Sequence, residues 1–476
     1  MEETYQSLPP HVIILPSPGM GHLIPLTEFA KRLVLNHGII ITFTIPTESI
    51  NSTSEAQKLV LDSLPGSINS IFLSPVNLSD IPNDVPIGSR IVSTVTRSLS
   101  SLIESLKIIT SSHRVVALVV DIFGTSALDV ANEYNITPYI FFPSTAMYLS
   151  LLYHLPVMDQ AYSCEYRDVS HPIQIPGCVP IWAWGTDLLD LLQDRKPEIY
   201  NRSLQYWRRL NIAAGILLNS SEDLEPGPIK ALNGKEWDNP PVYPIGPLIR
   251  TGVSDDGYDQ SGCLQWLDNQ PVCSVLFISF GSAGTLSNEK LTELALGLEM
   301  SQHKFLWVLR SPTDTSADAN YLNSESVGDP FEFLPKGFLD RTRVSGLVVS
   351  SWAPQVRILS HRSTGGFLTH CGWNSTLESV INGVPLIAWP LFAEQKMNAV
   401  MLTDDLKVAL RPKVNKNGII ESGEISRCVK GVMGGEEGHK LRCRMGDLKG
   451  AAASSLSEGG SSFKSLAEVA NKWKNL

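Results

Sequence analysis

A chain of 476 residues is longer than one hydrophobic core usually organises, so two domains are the starting expectation. Hydrophobic residues at 43% and charged residues at 18% exclude a disordered or fibrous chain. A net charge of −10 with no long basic run argues against a nucleic-acid surface.

The start, MEETYQSLPP, is acidic and polar where a secretory leader would be basic and then apolar. No run approaches the roughly 20 apolar residues that span a bilayer. A cytoplasmic protein is expected, and its 7 scattered cysteines, without a CxxC pair, are expected to be reduced thiols.

The first apolar run, HVIIL (11–15), leads through LPSPGMGHLIP (15–25) into a stretch whose Leu23, Leu26, Ala30 and Leu33 recur at helical spacing. This predicts a strand, a glycine-bearing turn and a helix with His22 at its first position and Pro25 in its first turn, where a missing N–H matters least. A dinucleotide fingerprint needs a third glycine where Ile24 stands, and no Walker lysine follows. The loop therefore reads as presenting His22 for chemistry. The partial positive charge of a helix start disfavours imidazolium, which suits a proton acceptor.

IITFTI (40–45), VVALVV (115–120) and YIFF (139–142) continue a strand–helix alternation that predicts a parallel sheet. Asp121 directly follows VVALVV, and strand ends in such a sheet converge on one crevice. A carboxylate there could fix the tautomer of His22 and stabilise the imidazolium that forms when the other nitrogen takes a proton. Taken singly, each residue reads equally well as a helix cap or a backbone-binding group, and spacing alone does not pair them.

PPVYPIGPLIRTGVSDDGYDQSG (240–262) has the composition of an interdomain linker, with the boundary near residue 250. A second strand series follows in VLFISF (275–280), FLWVL (305–309), GLVVS (346–350), GGFL (365–368) and PLIA (385–388). The polar stretch from Ser311 to Pro335 reads as a long surface loop. Two doubly wound α/β domains fit both series.

Forty-four residues from Trp352 to Gln395 read WAPQVRILSHRSTGGFLTHCGWNSTLESVINGVPLIAWPLFAEQ. Within them GGFLTH predicts a buried strand, CGWN a turn and STLESVING a helix closed by Gly383 before Pro385. Asn374 and Ser375 would stand at the helix start, where free N–H groups and the macrodipole attract an anion such as a diphosphate, and His370 could donate to the same group. Ser375-Thr376-Leu377-Glu378 also matches a capping box, in which Glu378 would serve only its own helix. His370 and Cys371 have no second ligand pair at metal spacing, so no metal is expected.

This box closely resembles the signature of the plant family 1 UDP-dependent glycosyltransferases. PSPGMGHLIP, VVDIFG around Asp121 and ISFGS (278–282) agree with it, so the resemblance covers essentially the whole chain. QWLDNQP (265–271), IPGCVP (175–180) and PLIAWPLFAEQKMNAV resemble the hydroquinone glucosyltransferase branch. The resemblance implies the GT-B fold, two Rossmann-like doubly wound parallel-sheet domains facing across a cleft. Residues 1–250 would bind the acceptor and 251–458 the UDP-sugar, while 459–476 would form a C-terminal helix returning to the first domain.

The same resemblance implies that Trp352 stacks on uracil, that Ala353 and Gln355 bond base and ribose, and that Glu378 accepts from the ribose hydroxyls. Ser282, His370, Asn374 and Ser375 would hold the diphosphate, and Trp373, Glu394 and Gln395 would line the hexose. It implies inverting transfer from UDP-glucose by a monomer, with His22 as base, no metal and no permanently bound cofactor. The acceptor would be a small hydrophobic molecule with a hydroxyl, lying against FFPSTAMYLSLLYH (141–154). Two departures bear on acceptor choice: Ser126 stands where the branch usually has aspartate, and IWAWGTDLLDLLQDR (181–195) lacks the branch's usual lysine. A GT-B epimerase and a non-catalytic UDP-sugar sensor are the alternative functions.

Overall fold

The computed structural model describes residues 8–48, 55–82, 85–182, 187–195, 198–250, 261–313, 329–350 and 352–476. Two parallel sheets organise them. The first contains β1 (Pro10–Leu15), β2 (Ile40–Ile45), β3 (Ile68–Phe72), β4 (Arg114–Asp121), β5 (Thr137–Phe142), β6 (Gly215–Leu218) and β7 (Val242–Pro244), in the order 3-2-1-4-5-6-7. The second contains β8 (Val275–Ser279), β9 (Lys304–Leu309), β10 (Gly346–Ser350), β11 (Thr364–Thr369), β12 (Leu386–Ala388) and β13 (Ala409–Leu410), in the order 10-9-8-11-12-13. In each sheet the order reverses beside its first strand, opening a crevice at the carboxyl ends of β1 and β4 and of β8 and β11.

All nine apolar runs named above are strands. The four further strands had weaker signals. β3 carries exposed positions, β6 and β13 are short, and β7 lies among prolines. β7 corrects the linker reading, because Val242–Pro244 pairs with β6 as the edge of the first sheet, where a strand proline leaves no ladder hydrogen bond unmade on its open side. Residues 251–260 of that stretch lie outside the described residues, as do 314–328 of the expected surface loop and 183–186 of the divergent segment 181–195.

Five helices frame the site: α1 (Met20–His37), α2 (Ala146–Ala161), α3 (Gln355–Ser360), α4 (Trp373–Asn382) and α5 (Ser461–Lys474). α1 starts earlier than its apolar pattern predicts. Gly19 takes φ 114°, open to glycine alone, and its carbonyl accepts from both His22 and Leu23, so the turn closes at Met20. His22 is thus the third helical residue, and Pro25 lies in the second turn. α5 lies on the first sheet: Trp473 is fully buried, edge-on to Tyr139 of β5 at 5.1 Å, and Lys472 donates to the Tyr243 hydroxyl of β7 at 2.6 Å.

All seven cysteines are free thiols. Among the described residues no helix is long and apolar enough to cross a membrane.

Candidate active site

At the carboxyl ends of β1 and β4, His22 Nδ1 stands 3.1 Å from Asp121 Oδ2, off the line of a straight hydrogen bond. Asp121 is fully buried. Its carboxylate accepts from the Ser17 backbone N–H at 2.7 Å, from the Ser17 hydroxyl and from the Phe123 N–H at 3.0 Å. Burial alone would raise the Asp121 carboxyl, but the neighbouring His22 and the Ser17 donors hold it below its ordinary value. The Phe123 ring stands edge-on to His22 at 5.4 Å. With Nδ1 turned to the carboxylate, Nε2 is the nitrogen left to meet a proton.

Across the crevice, α4 begins at Trp373 with Gly372 as N-cap and no side-chain cap. The N–H groups of its first turn therefore have no intrahelical or capping partner to satisfy them. This start corrects the capping-box reading. Ser375 lies inside the helix, and Glu378 bonds Gln355 at the start of α3 instead of its own helix. Gln355 Nε2 donates to both the Ser375 hydroxyl, at 3.0 Å, and Glu378 Oε2, at 2.7 Å. Burial pushes the Glu378 carboxyl up to about 7, against the opposing pull of Gln355.

The His370 ring fits between two glycines, since a Cβ on Gly281 or Gly372 would come within 2.6 or 2.4 Å of it. Its Nδ1 is buried without a partner, and burial lowers the imidazole to about 4, so the ring is neutral. A neutral imidazole with an unmet ring nitrogen, beside uncapped helix N–H groups, fits a diphosphate that accepts hydrogen bonds. Ser282 follows Gly281 and is exposed, its carbonyl accepting from Arg310. Cys371 and Ala393 both hold positive φ, 63° and 53°, conformations that cost energy in non-glycine residues and concentrate at functional sites.

The remaining expected residues divide into ligand-facing and structural groups. Trp352 is 69% exposed just ahead of α3, whereas Ala353 is buried. Trp373 is only 3% exposed, and its Nε1 donates 2.7 Å to the Asn219 carbonyl beyond β6, so the indole ties the two domains together. Glu394 accepts from Ser144 at 2.9 Å, a second tie across the cleft. Gln395 Oε1 accepts from the Leu391 and Phe392 backbones, shaping the turn before it. Asn374 Nδ2 donates to the Gly21 carbonyl at 2.8 Å, joining the helix of His22 to α4.

Two residues with roles here went unnoticed in the sequence. Ser17 completes the shell of Asp121 but looks like an ordinary turn serine. Asn398 donates to the Cys371 carbonyl at 3.0 Å and accepts from Thr145 at the start of α2, thereby supporting the strained Cys371. Neither has a motif of its own. Among the described residues no three His, Cys, Asp or Glu side chains converge as metal ligands.

Two parallel sheets that share the order 3-2-1-4-5-6, the first extended by a seventh strand, with their site residues gathered at facing crevices constitute the GT-B architecture of nucleotide-sugar glycosyltransferases. The chain belongs to the family of UDP-glucoronosyl and UDP-glucosyl transferases, whose pattern its residues 260–435 match, and it is a UDP-glycosyltransferase. It is 58% identical to the hydroquinone glucosyltransferase of Rauvolfia serpentina over 466 residues, 98% of each chain. The structure of Phytolacca americana UGT2 complexed with UDP-2fluoro-glucose and pterostilbene aligns with TM-score 0.88 at 50% identity, covering 98% of this chain and 99% of that one. A UDP-glucosyltransferase from Polygonum tinctorium capable of glucosylating indoxyl, in complex with 3,4-dichloroaniline, aligns with TM-score 0.89 at 51% identity and the same coverage. These relatives give no support to an epimerase or a binding-only protein.

Proposed function

We propose that the protein is an inverting glucosyltransferase that moves glucose from UDP-glucose to the hydroxyl of small phenolic acceptors, forming β-glucosides. The observation that carries this reading is the contact of His22 Nδ1 with Asp121 Oδ2 at 3.1 Å, on a helix whose Gly21 is bonded to Asn374 at the start of α4. His22 Nε2 removes the acceptor proton as the oxygen attacks the anomeric carbon from the face opposite UDP, so the α-linked donor gives a β-product. Free phenols ionise near pH ~10, and a positioned imidazole lowers that barrier at neutral pH. Asp121 stabilises the imidazolium.

Departing UDP gains negative charge against the first turn of α4, Ser282, Ser375 and His370, which oppose it as fixed dipoles. Trp352 stacks on the uracil, Ala353 and Gln355 meet base and ribose, and Glu378 accepts from the ribose. Trp373, Glu394 and Gln395 frame the hexose. In this reading residues 1–250 and the helix at 459–476 form the acceptor side, 251–458 the donor side, and a cytoplasmic monomer suffices. The Rauvolfia serpentina relative is named for hydroquinone and the Phytolacca americana complex holds pterostilbene, which favours a phenol as acceptor.

Incubation with UDP-glucose and hydroquinone, read by NMR, tests this directly. A β-linked glucoside is expected, and none with His22→Ala even though UDP still binds. An α-linked product, or UDP-glucose consumed at the same rate without acceptor, would overturn the proposal.

A further inference from the structure

We infer that Pro25 and Asn374 form a clasp that positions His22 against the donor side of the cleft. This deepens the proposed reaction and rests on it. In an α-helix the N–H of residue 25 would bond the carbonyl of residue 21. Proline has no N–H, so the Gly21 carbonyl, one residue before His22, is released from the helix ladder. It accepts instead from Asn374 Nδ2 at 2.8 Å, from the first turn of the opposite helix α4.

The chemistry fixes the orientation of this amide, because the reverse placement would set Oδ1 against another carbonyl oxygen. Oδ1 is buried without a partner. As an acceptor it suits a substrate hydroxyl and repels a phosphate oxygen. The side chain of Asn374 therefore acts as a positioning group, while its backbone N–H stays with the free helix start. A proline in the second turn of a helix, which weakens that helix taken alone, has a use when the carbonyl it frees carries a bond between domains.

The test is a cycle of Pro25→Ala, Asn374→Ala and the double variant, with kcat, acceptor KM and UDP affinity measured for each. Pro25→Ala restores the N–H and draws the carbonyl back to its own helix. Each single variant is expected to lower kcat by about tenfold through misplacement of His22, with UDP affinity within about threefold of the parent. The double variant should fall no further than the worse single one, as expected for two halves of one contact. Hydrogen exchange in the segment 19–26 should quicken in Asn374→Ala. Multiplicative losses in the double variant, or a tenfold loss of UDP affinity in Asn374→Ala at unchanged kcat, would overturn the clasp. If instead His22→Ala retains full activity, the base assignment fails, while the exchange and UDP-affinity readouts still judge the clasp separately.

Discussion

Gln355 Nε2 lies 2.7 Å from Glu378 Oε2, joining the start of α3 to the middle of α4 through a carboxyl that burial raises to about 7. If ribose hydroxyls donate to Glu378, they favour its ionised form, so donor binding and deprotonation reinforce each other. UDP-glucose affinity should then rise as pH increases towards about 7, by up to tenfold per unit, and level off above. Calorimetry with UDP-glucose and no acceptor, over about pH 5.5 to about pH 8.5, checks this and should detect proton release at the lower end. Glu378→Gln should bind more weakly and without that pH dependence.

The same shift has a consequence for stability. The folded-state value lies above the roughly 4.3 of an unfolded glutamate, so the unfolded chain gives up this proton first as pH rises. The stabilisation due to Glu378 is therefore complete below the unfolded value and lost by the time pH passes about 7. Glu378→Gln should melt higher than the parent at about pH 8 when neither carries ligand, and scanning calorimetry measures the difference.

Asp121 gives a third prediction. Its carboxylate is held ionised by His22 and Ser17 in full burial, so Asp121→Asn removes the charge that steadies the imidazolium while keeping the shape. kcat should fall roughly 10²- to 10⁴-fold with donor KM little changed. Ser17→Ala, which removes one hydroxyl donor but leaves the backbone N–H, should cost on the order of tenfold. The His22→Ala and Asp121→Asn losses should not multiply, because the two residues act as a unit. Steady-state kinetics on the parent, the three single variants and the His22→Ala/Asp121→Asn double variant decides it.

The glycines around His370 predict a loss on the donor side alone. A Cβ at Gly372 would lie 2.4 Å from His370 Nε2, and one at Gly281 2.6 Å from His370 Cε1, with φ +75° adding backbone strain at Gly281. Gly372→Ala should displace the ring and raise donor KM by about tenfold or more, with acceptor KM unaffected. Gly281→Ala should do the same and also lower stability by about 1 kcal/mol through its left-handed backbone.

The fold was legible because each long strand is a dense apolar run between helical stretches, a pattern that burial on both faces of a parallel sheet imposes. The donor box was legible as local chemistry: a buried strand, a turn and a helix start that attracts an anion beside His370. What escaped was whatever depends on distant partners. The linker composition of residues 240–250 hides β7, a short edge strand set among prolines. Glu378 matches a capping box in sequence, and only the approach of Gln355 from α3 reveals its other partner. The bond of the Trp373 indole to Asn219, 154 residues away, likewise has no trace in the local sequence. Helix starts shifted for the same kind of reason, since a backbone angle such as that of Gly19 is not written in apolar periodicity.

Two tryptophans of the donor box separate binding from folding. Trp373, 3% exposed, fills the domain contact and satisfies the Asn219 carbonyl, so Trp373→Phe leaves a buried acceptor unmet. It should destabilise the protein by about 1–3 kcal/mol by thermal or denaturant unfolding. Trp352, 69% exposed, contributes little to the core, so Trp352→Ala should change stability by less than about 0.5 kcal/mol. If its ring is the platform for uracil, however, the same change should weaken UDP binding by about 1–3 kcal/mol, the typical worth of stacking a base on an aromatic side chain. Trp352→Phe should recover most of that loss, because stacking needs a flat aromatic face and the indole N–H adds nothing to it. A Trp352→Ala variant that binds UDP as tightly as the parent would remove Trp352 from the donor site, since an effect on folding could not have masked the result.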